Sequence, residues 1–144
     1  MPVGATVIAV PYTYSMVVPY YQVDQQGVAF NMWYLGWLDE AMSGFLASVG
    51  RPYDELIRDG LDVQLVHTEL DWRGSARWAD QVLVAVTADA IGTTSFTLGF
   101  EVAVGPEVVA TAKTVYVMIS TDGSGKRELP ASLRSALESG RGPY

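Results

Sequence analysis

The chain has 144 residues, 49% of them apolar, and a formal net charge of −7. That length suits one domain with a proper core, and the acidic balance argues against a nucleic-acid partner. With no cysteine and a single histidine, disulfides, a cysteine nucleophile and thiolate metal sites are excluded, and neither a metal nor a cofactor is expected.

Met1-Pro2-Val3-Gly4 has no basic region of the signal-peptide kind. Val7 to Val10 is too short to span a membrane, and Pro11 closes it. Lack of cysteine fits a reducing compartment, so a cytoplasmic location without a membrane partner is expected. Residues 1–11 read as a loose lead-in. Tyr12 to Val23 reads as a strand with Tyr12, Tyr14, Met16 and Val18 on one side, and Pro19, which lacks a ladder donor, belongs at an edge or bulge.

From Asn31, the residues Leu35, Leu38, Met42, Phe45, Leu46 and Val49 recur at helical spacing. Trp33, Trp37, Ala41 and Gly44 make the opposite face apolar too, and no Lys or Arg occurs before Arg51. A helix apolar nearly all round belongs inside a fold. Gly50 and Pro52 end it, and Tyr53 to Asp59 forms a short second helix stopped by Gly60. The period then changes to two. Val63, Leu65, His67, Glu69 and Asp71 face one way; Gln64, Val66, Thr68, Leu70 and Trp72 face the other. Gly74 to Asp80 is a polar connection. Gln81 to Ile91 is a strand, Gly92-Thr93 a compact hairpin turn with glycine first, and Thr94 to Val104 the next strand. Gly105-Pro106 turns again before a strand from Val108 to Ser120. Asp122 to Arg127 is a turn, and Pro130 starts a short helix, over about 130–139, at its favoured first position. The order predicts an α+β fold: an antiparallel sheet with its helix layer on one face. One sheet face in a chain this apolar is not covered by one helix, so self-association is expected.

Asp24, followed by Gly27, stands just before the long helix. The first N–H groups of a helix lack partners within it and carry partial positive charge, which suits a developing oxyanion. Gly27 lets the chain turn tightly. Spacing alone favours Asp24 as a cap of its turn or of the helix, because most Asp residues before helices are caps, and Asn31 is a good N-cap residue. Glu40 and Asp39 read as paired or interface charges. His67 sits mid-strand without metal partners and reads as a satisfied core or interface histidine.

Tyr21, Asp24, Gly27, Asn31 and Tyr34, with the run Asp71-Trp72-Arg73-Gly74-Ser75-Ala76-Arg77-Trp78-Ala79-Asp80 and the strand ending Thr114-Val115-Tyr116-Val117-Met118, carry a resemblance. Over Tyr12 to Ser120 the chain resembles the hotdog-fold thioesterases of the 4-hydroxybenzoyl-CoA thioesterase type. The resemblance implies a hotdog fold, an antiparallel curled sheet wrapped around one long central helix, with residues 1–144 as a single domain and its core over about 12–120. It implies hydrolysis of an acyl-CoA or aryl-CoA thioester. Asp24 would be nucleophile or general base, Gly27 its turn, and the Asn31 amide the oxyanion donor. Tyr21, Phe30, Trp33, Tyr34, Arg73 and Arg77 would bind substrate. It implies a homo-oligomer, a dimer or dimer of dimers, with active sites between subunits. A related hotdog group uses a carboxylate inside the helix, where Glu40 lies. Several members carry Arg or Lys in the turn before the fourth strand; here that turn, Gly92-Thr93-Thr94-Ser95, is uncharged, leaving Arg73, Arg77 and Lys126 or Arg127 to meet the CoA phosphates. A non-catalytic acyl-binding domain and a hydratase or dehydratase are the alternatives.

Overall fold

The computed structural model describes residues 12–140; the expected lead-in over 1–11 and the end of the tail lie outside them. Five strands, β1 (Tyr12–Val17), β2 (Leu61–Trp72), β3 (Gln81–Ile91), β4 (Ser95–Val104) and β5 (Glu107–Ser120), form one antiparallel sheet in the order β1-β3-β4-β5-β2. Three helices accompany it: α1 (Asn31–Ser48), α2 (Tyr53–Arg58) and α3 (Ala131–Ser139). The expected α+β arrangement of a curled antiparallel sheet and one long helix is therefore present.

The first strand ends sooner than expected, at Val17 rather than Val23. Pro19 has no N–H to give a ladder, and the chain instead turns through a single 3-10 turn over Tyr20–Gln22. As expected of a strand preceding a proline, β1 is an edge strand.

Helix α1 buries Tyr34, Trp37, Leu38, Ala41, Met42, Phe45 and Leu46 against β1 and β3. Gly44 is required where the Tyr12 side chain crosses the helix, since a Cβ there would overlap its ring and hydroxyl. The helix is not encircled within one chain, which corrects the all-round reading. Leu35 is 46% exposed and Met32 56%, because α1 leans toward the β1 side and leaves β2 open. Gly50, at φ 89°, ends the helix as expected.

Strand β2 does not keep one alternation. The register with β5 shifts between Leu65 and His67, making Val66 a bulge. Val63 and Leu65 pair with the helix-facing Met118 and Tyr116, whereas His67, Glu69 and Asp71 pair with Val115, Lys113 and Thr111 on the outer face. A bulge adds one residue and so exchanges the two faces beyond it. Thr68, Leu70 and Trp72 thereby turn toward the helix side. His67 is exposed on the outer face beside Glu69, at 3.1 Å, not in a core.

Two turns also differ in detail. Three residues, Gly92 to Thr94, separate β3 from β4, the Gly92 amide donates to the Ser95 carbonyl at 2.7 Å, and Gly92 does not take the positive φ of a glycine-first two-residue turn. Pro130 caps α3 instead of occupying its first position.

Candidate active site

The Asp24 loop is fixed by its backbone. The Asp24 amide donates to the Val28 carbonyl and the Gly27 amide to the Asp24 carbonyl, each at 2.9 Å, with Gly27 at φ 77°. One Asp24 carboxylate oxygen, Oδ1, accepts the Gln26 amide at 2.8 Å. Asp24 thus caps its own turn, not the helix, and Oδ2 is left for other chemistry. The loop is tied to its neighbours from both sides. The Ala29 amide donates to Ala76 at 2.8 Å, and the Phe30 amide to the Gln22 carbonyl at 2.9 Å. The buried Gln22 side chain accepts the Trp37 indole N–H at 2.9 Å, anchoring the loop to the middle of α1.

The start of α1 is uncapped. Phe30 is the N-cap and provides no side-chain acceptor, while Asn31 is the first helical residue. This removes the N-cap reading of the Asn31 side chain. The Trp33 amide bonds back to Phe30 at 3.0 Å; among the described residues nothing accepts the amides of Asn31 and Met32. No acidic side chain occupies the first turn. The helix therefore presents free donors and partial positive charge at a cleft of about 510 Å³ that Asp24, Phe30, Asn31 and Tyr34 also line. A carboxylate and an unoccupied N–H pair at one cleft can activate a nucleophile and hold an oxyanion on the same carbonyl group.

Asp24, Asn31, Phe30 and Tyr34 are thus brought together. Tyr34 is 1% exposed, and its hydroxyl accepts the Ala76 amide at 3.1 Å, so it is a wall and a strut. Tyr21 lines a second cleft, of about 630 Å³, on the other side of Asp24, with Tyr20 and Trp78. Trp33 lines neither and packs edge-on to Tyr21, with centroids 5.4 Å apart. Arg73 and Arg77 belong to the connection that walls the first cleft. Both are exposed, and among the described residues neither forms an ion pair. Lys126 and Arg127 follow the far end of β5 from Asp24, and Glu40 is exposed on the β1 side of α1, near Tyr14 and outside the cleft.

Three participants escaped the sequence. Trp72 and Gly74 line the Asn31 cleft only because of the Val66 bulge and the return of the connection to Ala29. Gln22, the anchor, is one amide in an apolar run, and only its burial marks it. Among the described residues no group of three His, Asp or Glu side chains could hold a metal.

Residues 18–137 match the family model described as the thioesterase-like superfamily. A 1,4-dihydroxy-2-naphthoyl-CoA hydrolase of Synechococcus elongatus is 22% identical over 129 residues, 88% of this chain and 95% of that protein. A 1,4-dihydroxy-2-naphthoyl-CoA thioesterase from Synechocystis is 26% identical with a TM-score of 0.79, covering 88% of this chain and 94% of the other. A gentisyl-coenzyme A thioesterase is 25% identical with a TM-score of 0.82, covering 88% and 99%.

Proposed function

This chain belongs to the thioesterase-like superfamily, and from that premise we propose that it hydrolyses an aryl-CoA or acyl-CoA thioester to the free acid and CoA. The observation that carries the reading is the pair of unaccepted amides at Asn31 and Met32 beside the Asp24 carboxylate in one cleft. The thioester carbonyl oxygen accepts the Asn31 N–H, which stabilises the charge that develops on it. Asp24 either attacks the carbonyl carbon, giving an anhydride that water opens, or takes the proton of an attacking water. CoA leaves as a thiolate, so no strong acid is needed. Gly27 and the Gln22–Trp37 bond hold the carboxylate in place. The aromatic walls from Phe30, Tyr34 and Trp72 and the hydroxyaryl esters named for the relatives favour an aryl acyl group. Tyr21 and Trp33 flank the loop, and Arg73 and Arg77 are free to meet the CoA phosphates. The single sheet supports reading the chain as one domain. No described helix is long and apolar enough to cross a membrane, and a cytoplasmic location is part of the proposal, resting on the absence of cysteine.

Thiol release from a panel of benzoyl-, hydroxybenzoyl- and fatty acyl-CoA esters, without added metal, tests the reading. Hydrolysis of at least one aryl ester is expected. Binding without release across the whole panel would favour the non-catalytic acyl-binding alternative.

The open strand β2 supports a homodimer, alone or as half of a dimer of dimers. Its edge has 12 residues and, among the described residues, no strand partner beyond it; Leu65 and Val66 on it are 43% and 54% exposed, and Leu35 and Met32 of α1 are 46% and 56% exposed. Unpaired edges of this length are normally covered. Light scattering at micromolar concentration is expected to give twice or four times the chain mass; a monomer would remove the interface.

A further inference from the structure

A cleft of about 380 Å³ lies on the open side of α1, facing the β2–β5 ladder. Asp39, Met42 and Ser43 line it from the helix, and Val63, Leu65 and Tyr116 from the strands. Its walls are mainly apolar, and its one deeply buried polar group is the Tyr116 hydroxyl. Tyr116 is 1% exposed and stacked on Phe96, with centroids 5.4 Å apart. Among the described residues its hydroxyl makes no hydrogen bond of ordinary geometry, although Thr114 and Asp39 lie close enough to act on it. Burial, with Asp39 nearby, pushes the phenol up to about 12, so it keeps its proton at neutral pH. The neighbouring Tyr53 hydroxyl is already given to Asp62.

Two further hydroxyls share this condition. Thr114 follows on the same side of β5, Thr68 is its register partner on β2, and both oxygens are buried without a partner. Buried hydroxyls are nearly always satisfied, because an unmade hydrogen bond costs stability. Among the described residues the three make no hydrogen bond of ordinary geometry, and with Thr114 and Asp39 the groups nearest the Tyr116 hydroxyl, an added hydroxyl in the cleft would complete the set. The space is far larger than one water, which fills ~30 Å³, and has the size of a small-molecule site.

We propose that Tyr116 is a specificity-determining residue whose hydroxyl binds a hydroxyl on the aryl ring of the substrate, with Met42, Val63 and Leu65 holding the ring. Thr114 and Thr68 lie beyond Tyr116 on the same strand pair, outside the cleft lining, and Asp39, which does line it, accepts from a ring hydroxyl at the rim. This rests on the thioesterase reading above. Asp39 lies eight residues beyond Asn31, about 12 Å along the helix, which exceeds the reach of a one- or two-ring acyl group. The ring is therefore one presented by the Asp24 of a second copy, so that each site takes its reacting groups from one chain and its ring hydroxyl contact from the other.

The experiment compares kcat/KM for mono- and dihydroxybenzoyl-CoA with that for benzoyl-CoA, in the parent and in Tyr116→Phe. The parent should prefer a hydroxylated ester, and the variant should lose that preference by about tenfold, with a melting temperature that stays or rises because an unsatisfied hydroxyl is gone. Co-produced mixed dimers of Tyr116→Phe with Asp24→Asn should recover the parental preference, because the only competent carboxylate then faces the intact Tyr116. Equal losses on all esters, an unchanged preference, or mixed dimers that keep the variant's preference would overturn the subsite while leaving the Asp24 chemistry standing. A parent protein that hydrolyses none of the esters would instead remove the thioesterase reading and the subsite with it.

Discussion

Asp24→Asn is expected to leave a folded protein with almost no thiol release. The asparagine side chain keeps the carbonyl oxygen that accepts the Gln26 amide at 2.8 Å, so the turn retains its hydrogen bond. Asn and Asp are equivalent in such caps, and the melting temperature should barely move. What disappears is the negative charge and the basic lone pair. If Asp24 takes a proton from water, turnover should fall about 10²–10⁴-fold; the loss is at least as large if it attacks directly. Binding should persist, since the Asn31 amide and the aromatic walls are untouched, and a neutral amide no longer repels the electron-rich thioester. The measurement is kcat by thiol release beside acyl-CoA affinity by calorimetry. A variant within a few-fold of the parent would reduce Asp24 to a turn cap and direct attention to Glu40.

Phe45→Ala should cost the most stability of any single change considered, about 3–5 kcal/mol. Phe45 is 1% exposed and packs edge-on against Tyr12, with ring centroids 6.4 Å apart. Its ring tip also closes the space beside Gly140, where α3 ends. Removing it opens a cavity between the helix, the edge strand and α3 at once, and none of the three can collapse without disturbing another. Urea unfolding at fixed protein concentration should show a lower midpoint with an unchanged slope. A cost below about 1 kcal/mol would mean that α1 is not the centre of the core. The same substitution should spare ester selectivity, because Phe45 lies on the opposite side of the helix from Ser43 and Asp39.

Local chemistry alone determined much of this protein. The helix α1 begins at Asn31 and stops before Gly50 because helical apolar spacing ends where a glycine can take positive φ. Strand β3 falls on Gln81–Ile91 because its valines alternate between polar flanks. The placement of a carboxylate and a glycine turn before an apolar helix was likewise readable, since all three lie within a few residues. The resemblance then chose catalysis over capping for Asp24.

Tertiary structure decided what depends on contacts between distant segments. Whether Leu35 is core or surface depends on how far α1 leans across the sheet, and periodicity gives a helix its apolar residues without saying which of two apolar stripes is covered. The Val66 bulge reverses the outward and inward sets of β2; nothing in Leu65-Val66-His67 signals an extra residue, because the bulge is a property of the pairing with β5. Trp72 reaches the Asn31 cleft as a consequence. Gln22 becomes an anchor only when the loop brings it to Trp37, 15 residues on. The free amides at Asn31 could be anticipated from helix geometry, but that no side chain caps them was settled by the tertiary fold. Hydrogen-bond satisfaction is a sum over everything that surrounds a group in space, and sequence order supplies only the neighbours along the chain.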